Sequence, residues 1–201
     1  MRILFFAILS FSNSLFAQNF KSFKKLSRPE KYWVIFHPFV AKESYKVSNQ
    51  ALLATQEIKK QKMLDTLENG GQLDAFRHAY WMAVLAHDIG ARKALKLGKA
   101  HEKGNYIDFK KGRYEEGFIP DSIAVAMDLF NNKMGIEIGK TYKCSEIKNT
   151  VIDYILSGKM KIIFRNKNLN FLDCTGNIIL NSSWQGFWKN NRCLVNSNVL
   201  D

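Results

Sequence analysis

Gln72-Leu73-Asp74-Ala75-Phe76-Arg77-His78-Ala79-Tyr80-Trp81-Met82-Ala83-Val84-Leu85-Ala86-His87-Asp88 is the stretch that decides the fold. It contains neither proline nor glycine, is rich in strong helix formers, and lies between Asn69-Gly70-Gly71 and Gly90. Glycine ends helices because it enters the left-handed region without steric cost. The composition therefore predicts a helix over residues 72–88. Residues three and four apart share one helix face, so Asp74, Arg77, His78 and Trp81 make a polar stripe along it.

Working outward, the pattern stays helical on both sides. Downstream, residues 91–103 read as a helix ended by Gly104-Asn105, followed by a loop over 105–118. Pro120-Asp121-Ser122 then opens a helix to about Ile138, and Ser145 caps another that Gly158 stops. Upstream, Pro29 opens a short helix with Tyr32, Trp33, Ile35 and Phe36 on its apolar side, ended by His37-Pro38. Residues 41–66 form a longer one, with Val47, Ala51, Ala54, Ile58 and Leu64 in helical spacing. After residue 158 the period shortens. Residues 161–165 and 178–180 read as strands of a small hairpin or three-stranded meander within 160–184, with a turn at Thr175-Gly176-Asn177. Trp184, Phe187 and Trp188 are expected to dock this piece on the helices. The expected fold class is mainly α: a compact multi-helix domain over 29–158 with a small β appendage over 159–201.

The first 17 residues have a different character. Arg2 supplies a positive start, residues 3–9 are unbroken apolar, and small Ala17 precedes polar Gln18. This is the layout of a cleavable secretory signal peptide, and the apolar run is shorter than the roughly 20 residues that span a bilayer. Residues 18–28 read as a polar leader. The chain is therefore expected to be exported, periplasmic or secreted, with no transmembrane segment after signal removal.

The full chain has 201 residues and a formal net charge of +12. Such a surplus favours anionic partners: an envelope component or a small anionic substrate. The lysines do not interleave with aromatic side chains as base-stacking platforms would, which disfavours nucleic acid. Of the three cysteines, Cys144, Cys174 and Cys193, two can pair in an oxidising compartment. A Cys174–Cys193 bond would staple the C-terminal segment, though spacing alone does not fix the pairing. His37 and His87, at helix ends, read as structural.

Two further helices carry polar residues where a plain core helix would not. One holds His101-Glu102, with Gly98 a turn earlier. The other carries Ile123, Met127, Phe130, Met134 and Ile138 on a greasy face, and Ala124, Asp128, Asn131 and Gly135 on a small, polar one. Two readings follow. In the first, Asp74, His78, His101 and Asp128 are metal ligands or their orienters. A divalent ion such as zinc, manganese or iron would activate water, with Glu102 as general base and Arg77 as anion clamp. In the second, the same residues, with Asn131, Asn132 and Trp81, form a buried hydrogen-bonded network that fixes helix packing.

The motifs that carry these residues are Gly71-Gln72-Leu73-Asp74-Ala75-Phe76-Arg77-His78-Ala79-Tyr80-Trp81, then Ala100-His101-Glu102, then Met127-Asp128-Leu129-Phe130-Asn131-Asn132-Lys133-Met134-Gly135. In this order the chain resembles an uncharacterised bacterial and phage domain family, the domain of unknown function DUF6973, over roughly residues 30–140. Met82 and Ile136 depart from that pattern, where Asn and Arg are frequent. The resemblance implies which residues to suspect and no activity. The functional expectation is a metal-dependent hydrolase of an anionic envelope substrate. Its rivals are a non-enzymatic envelope-binding module and a toxin-like effector.

Overall fold

The computed structural model describes residues 23–113 and 119–199. The expected signal segment therefore lies outside the described residues. Among the described residues six helices form the body: α1 Arg28–Phe36, α2 Pro38–Gln61, α3 Gln72–Leu85, α4 Ala91–Lys110, α5 Ser122–Thr141 and α6 Cys144–Leu156. A π-helical turn, Ala86–Gly90, joins α3 to α4, and Gly90 takes φ +90°, the geometry expected of its residue type. No helix among the described residues is long and apolar enough to cross a membrane.

Helix α3 is the axis of the fold, packed against α2, α5 and α6. Leu73, Ala75, Phe76, Ala79, Met82, Ala83 and Leu85 are all fully buried, so apolar side chains face neighbours on every side. Each large one contributes about 1.5–3 kcal/mol by leaving water. Its closest neighbour is α5. A Cβ on Gly135 would stand 2.1 Å from the carbonyl oxygen of Ala79, and one on Gly139 would stand 2.0 Å from that of Ala83. Two glycines facing two alanines let the backbones touch.

That approach leaves both stripes of α5 largely covered. Asn131 is 0 % exposed and Asp128 and Asn132 are buried beside α3, while Met127 and Ile138 of the greasy stripe are buried as well and only Phe130 reaches 37 % exposure. Close backbone packing needs small residues, so it is the small stripe that meets α3. Met127 is buried in a separate apolar cluster with Ile163, Phe171 and Trp184.

Helix α4 also departs from expectation, running through Gly104-Asn105 to Lys110. Gly104 is a contact point there, since a Cβ would lie 2.6 Å from Ser27 Oγ at the start of α1. Asn105 is buried and bonds Glu102. Both residues serve packing, so neither ends the helix.

The β appendage is present, but its pairing spans the whole C-terminal segment. Strand β1 (Lys161–Ile163) pairs antiparallel with β2 (Leu194–Asn196), Ile162 opposite Val195. The inner segment forms only isolated bridges, Arg165 with Phe171 and Leu172 with Ile178. The distant partner is held in place by a Cys174–Cys193 disulfide and by Phe164 N–H donating to the Cys193 carbonyl at 2.8 Å. Trp184 is buried and Trp188 packs on Tyr106 and Phe109 of α4, whereas Phe187 is 56 % exposed. The disulfide closes a span of 19 residues, a constraint worth about 3 kcal/mol through the unfolded chain. Urea unfolding with and without dithiothreitol should show a loss of that size, with Cys193→Ser matching the reduced protein.

Candidate functional site

The loop before α3 prepares the site. Asp65 caps the helix from a distance, accepting from Gln72 N–H at 2.7 Å and Leu73 N–H at 3.0 Å. Gly70 has φ +75° and its N–H donates to Asp74 Oδ2 at 2.6 Å. Asp74 thus sits in the first turn of α3, where the helix dipole favours an anion. Arg77, one turn on, donates from Nη2 to Asp74 Oδ1 at 2.5 Å.

His78 follows Asp74 at i+4, and α5 brings Asp128 to the same point. His78 Nε2 lies 3.5 Å from Asp74 Oδ1 and 3.4 Å from Asp128 Oδ1. All three residues are buried, and their ligand atoms lie within 4.8 Å of one another. The two N···O separations exceed the 2.7–3.2 Å of a well-formed hydrogen bond. They match the edge between two ligands of a tetrahedral ion with bonds of about 2.1 Å.

Burial is the main influence on both titrating groups. It lowers the His78 pKa well below the ordinary imidazole value, and the charges of Arg77 and His101 push the same way against a smaller opposing effect of Asn132. The ring is therefore neutral at neutral pH, the form that donates a lone pair to a metal. Burial raises the Asp74 pKa, opposed by Arg77 and by the Gly70 N–H.

Two cavities meet these residues. A void of about 20 Å³, lined by Asp74, Arg77, His78, Asp121, Asp128 and Arg192 among others, has room for a single ion or water. On the other side a cleft of about 480 Å³ opens between α1, α2, α3 and α4. Arg77 and His78 line both. The cleft also takes in Trp81 and His101.

His101 stands beside the three ligand candidates. Its ring centre is 6.1 Å from that of His78 and 5.5 Å from that of Trp81, and its Nδ1 is 3.0 Å from Glu30 Oε1. Glu30 is a residue the sequence reading passed over, although Ser27-x-x-Glu30 has the pattern of a capping box. Its other oxygen, Oε2, accepts from Ser27 N–H at 2.7 Å. One carboxylate therefore both starts α1 and orients His101. Burial raises its pKa, but His101 and the Ser27 donors more than offset this and bring it to about 2. A carboxylate ionised at neutral pH fixes Nδ1 as the donor, which places the basic lone pair of the neutral ring on Nε2.

Because the folded pKa of Glu30 lies below its ordinary value, the stabilisation is complete above about pH 4.5 and is lost as the pH falls towards 2. The shift corresponds to roughly 3 kcal/mol. Melting temperatures taken from pH 5 to pH 2.5 should fall more steeply for the wild type than for Glu30→Gln.

Glu102 is placed elsewhere. It is buried, with Oε2 accepting from Asn105 at 3.2 Å and Oε1 from Asn132 at 3.4 Å, and it lines neither cavity. Asn131 exchanges two hydrogen bonds of 2.9 Å with the backbone of Lys161 and ties β1 to α5. Trp81 donates to Ser48 Oγ at 3.0 Å. His37 stacks on Trp33 with Nδ1 2.8 Å from the Trp33 carbonyl, and exposed His87 pairs with Asp88. Both histidines hold structure.

A family model described as "Domain of unknown function (DUF6973)" matches residues 31–162. The chain belongs to this family. No curated protein and no solved structure matches it. The DUF6973 segment contains all three ligand candidates together with Arg77, Trp81 and His101, while Glu30 precedes it by one residue. Met82 and Ile136, the two departures from the expected family motif, are buried in the apolar core.

Proposed function

We propose that this DUF6973 protein is an exported, metal-dependent hydrolase of an anionic substrate. The observation that carries the reading is the convergence of Asp74, His78 and Asp128, one imidazole and two carboxylates from two helices, between an ion-sized void and an open cleft. This donor set suits zinc, manganese or iron. If bound, such an ion would lower the pKa of a water molecule and polarise the bond to be cut. His101, aligned by Glu30, would be the general base and acid of the site, holding at Nε2 the lone pair that accepts a proton from the nucleophile and can return it to the leaving group. Its role replaces the one first expected of Glu102, whose oxygens are engaged by Asn105 and Asn132. Arg77 borders the cleft and holds the anionic group of the substrate. The Cys174–Cys193 disulfide supports export, because such bonds persist in oxidising compartments.

Metal analysis of the purified protein after loading with zinc or manganese tests this. One ion per chain is expected, with affinity reduced more than about 100-fold by His78→Ala or Asp128→Asn, since changes one shell further out already cost 10–100-fold. His101→Ala should leave the stoichiometry intact. A wild-type protein that retains no ion, or variants that bind as it does, would refute the proposal.

A further inference from the structure

Residues 161–165 tie together the two parts of the chain that carry the proposed carboxylate ligands. Lys161 exchanges two backbone hydrogen bonds with the Asn131 side chain, one turn beyond Asp128 on α5. Ile163 N–H donates to the Gly70 carbonyl at 2.8 Å. Arg165 reaches back to the loop before α3, where its Nη2 donates to the Asn69 carbonyl at 3.0 Å.

The Asn69 carbonyl and the Gly70 N–H belong to one peptide unit, which is planar. Its N–H is the one that donates to Asp74 Oδ2 at 2.6 Å. Fixing the oxygen therefore fixes the direction of the N–H. A cationic donor on that oxygen also polarises the N–H towards its acceptor. The relay runs from the guanidinium, through a single peptide, to the carboxylate. The other oxygen of Asp74, Oδ1, lies beside Arg77 and His78.

Arg165 is a costly residue for a bond of purely structural purpose. Burial, with the charge of Arg192, lowers its pKa to about 10, against the pull of Asp65 and Asp74. The guanidinium is still charged at neutral pH. Its close partners among the described residues are uncharged: the Asn69 carbonyl and the Phe171 ring, whose centre is 4.2 Å away. Its Nε is buried without an acceptor among the described residues. A cation held this way destabilises the fold relative to a neutral side chain. The matched family segment stops at residue 162, so the relay enters from outside it.

We infer that Arg165 is a positioning residue for Asp74, acting through the Asn69–Gly70 peptide. It holds Oδ2 so that Oδ1 stays turned to His78. The inference rests on the metal-site reading above for its purpose. The relay itself needs no ion.

The test compares wild type, Arg165→Met and Arg165→Lys, each expressed from the full sequence. Amide exchange followed by NMR in EDTA reads the relay, and calorimetric titration with zinc reads the site. Arg165→Met should speed exchange of the Gly70 amide about tenfold or more, while the Ile58 amide, in the core of α2, exchanges as in the wild type. Its zinc affinity should fall about 10–100-fold, the usual loss when an outer partner of a ligand is removed. Arg165→Lys keeps a cationic donor and should restore most of both. Four results would each overturn the inference: unchanged Gly70 exchange in Arg165→Met, equal acceleration of Gly70 and Ile58, no restoration by lysine, or unchanged zinc affinity beside a wild type that binds zinc. A wild type that takes no zinc, with Gly70 still loosened by Arg165→Met, would remove the hydrolase reading and leave the relay standing.

Discussion

Replacing Gly135 with alanine is expected to destabilise the protein by at least about 3 kcal/mol, at the upper end of what an overpacked contact costs. On an exposed helix the same change would gain roughly 1 kcal/mol, because alanine is the better helix former. Here the new Cβ would stand 2.1 Å from the Ala79 carbonyl oxygen. A backbone oxygen inside the central helix cannot rotate away as a side chain can. Helices α3 and α5 would have to separate, carrying His78 away from Asp128. Gly139→Ala should behave alike, facing the Ala83 carbonyl at 2.0 Å. Gly98→Ala is the control: its nearest neighbour is the flexible Met82 Sδ at 3.0 Å, so clash and helix propensity should nearly cancel. Urea midpoints for the three variants measure this. A neutral Gly135→Ala would mean that the two helices are not in contact as described.

The buried ion pair of Asp121 with Arg192 carries the second large effect. Asp121 is the N-cap of α5, accepting from Ile123 N–H at 2.9 Å and Ala124 N–H at 3.0 Å, and it also pairs with Arg192 from the C-terminal segment. The Arg192 guanidinium lies 4.6 Å from the Phe171 ring centre and 4.3 Å from that of Trp184. Removing one partner of such a pair costs 3–5 kcal/mol, because the other charge is left buried alone. Asp121→Ala loses the cap as well, about 1 kcal/mol more. It should therefore cost about 5 kcal/mol, comparable with the whole stability of a marginal domain. Arg192→Met should cost less, since Asp121 keeps its cap donors. The order of these two variants in thermal melts is the discriminating result.

The legible parts of the fold were those governed by local rules. Helix α3 could be read because no proline or glycine interrupts it and glycines bracket it. The i, i+4 relation of Asp74 and His78 needs only helix geometry. Gly104-Asn105 misled because a glycine that ends a helix and one that lets a neighbour approach look the same in sequence. Which stripe of α5 meets α3 was not legible, because backbone contact rather than hydropathy decides it and both stripes are largely covered. The partner of β1 lies some thirty residues downstream, across a disulfide, and no local period records such a pairing. Within the site, Asp128 could be suspected from its polar neighbours, but its arrival at His78 depends on the packing of α3 against α5. The bond between Glu30 and His101 crosses 71 residues, and only its helix-starting half left a trace in the order of residues.

The double duty of Glu30 sets a practical boundary. The matched family segment begins at residue 31, so a fragment trimmed to that edge would discard the carboxylate that aligns the proposed base. Such a piece could keep most of its core and still be inert. Its silence would then report the trimming rather than the chemistry, and any assay of the isolated domain should start upstream of Ser27.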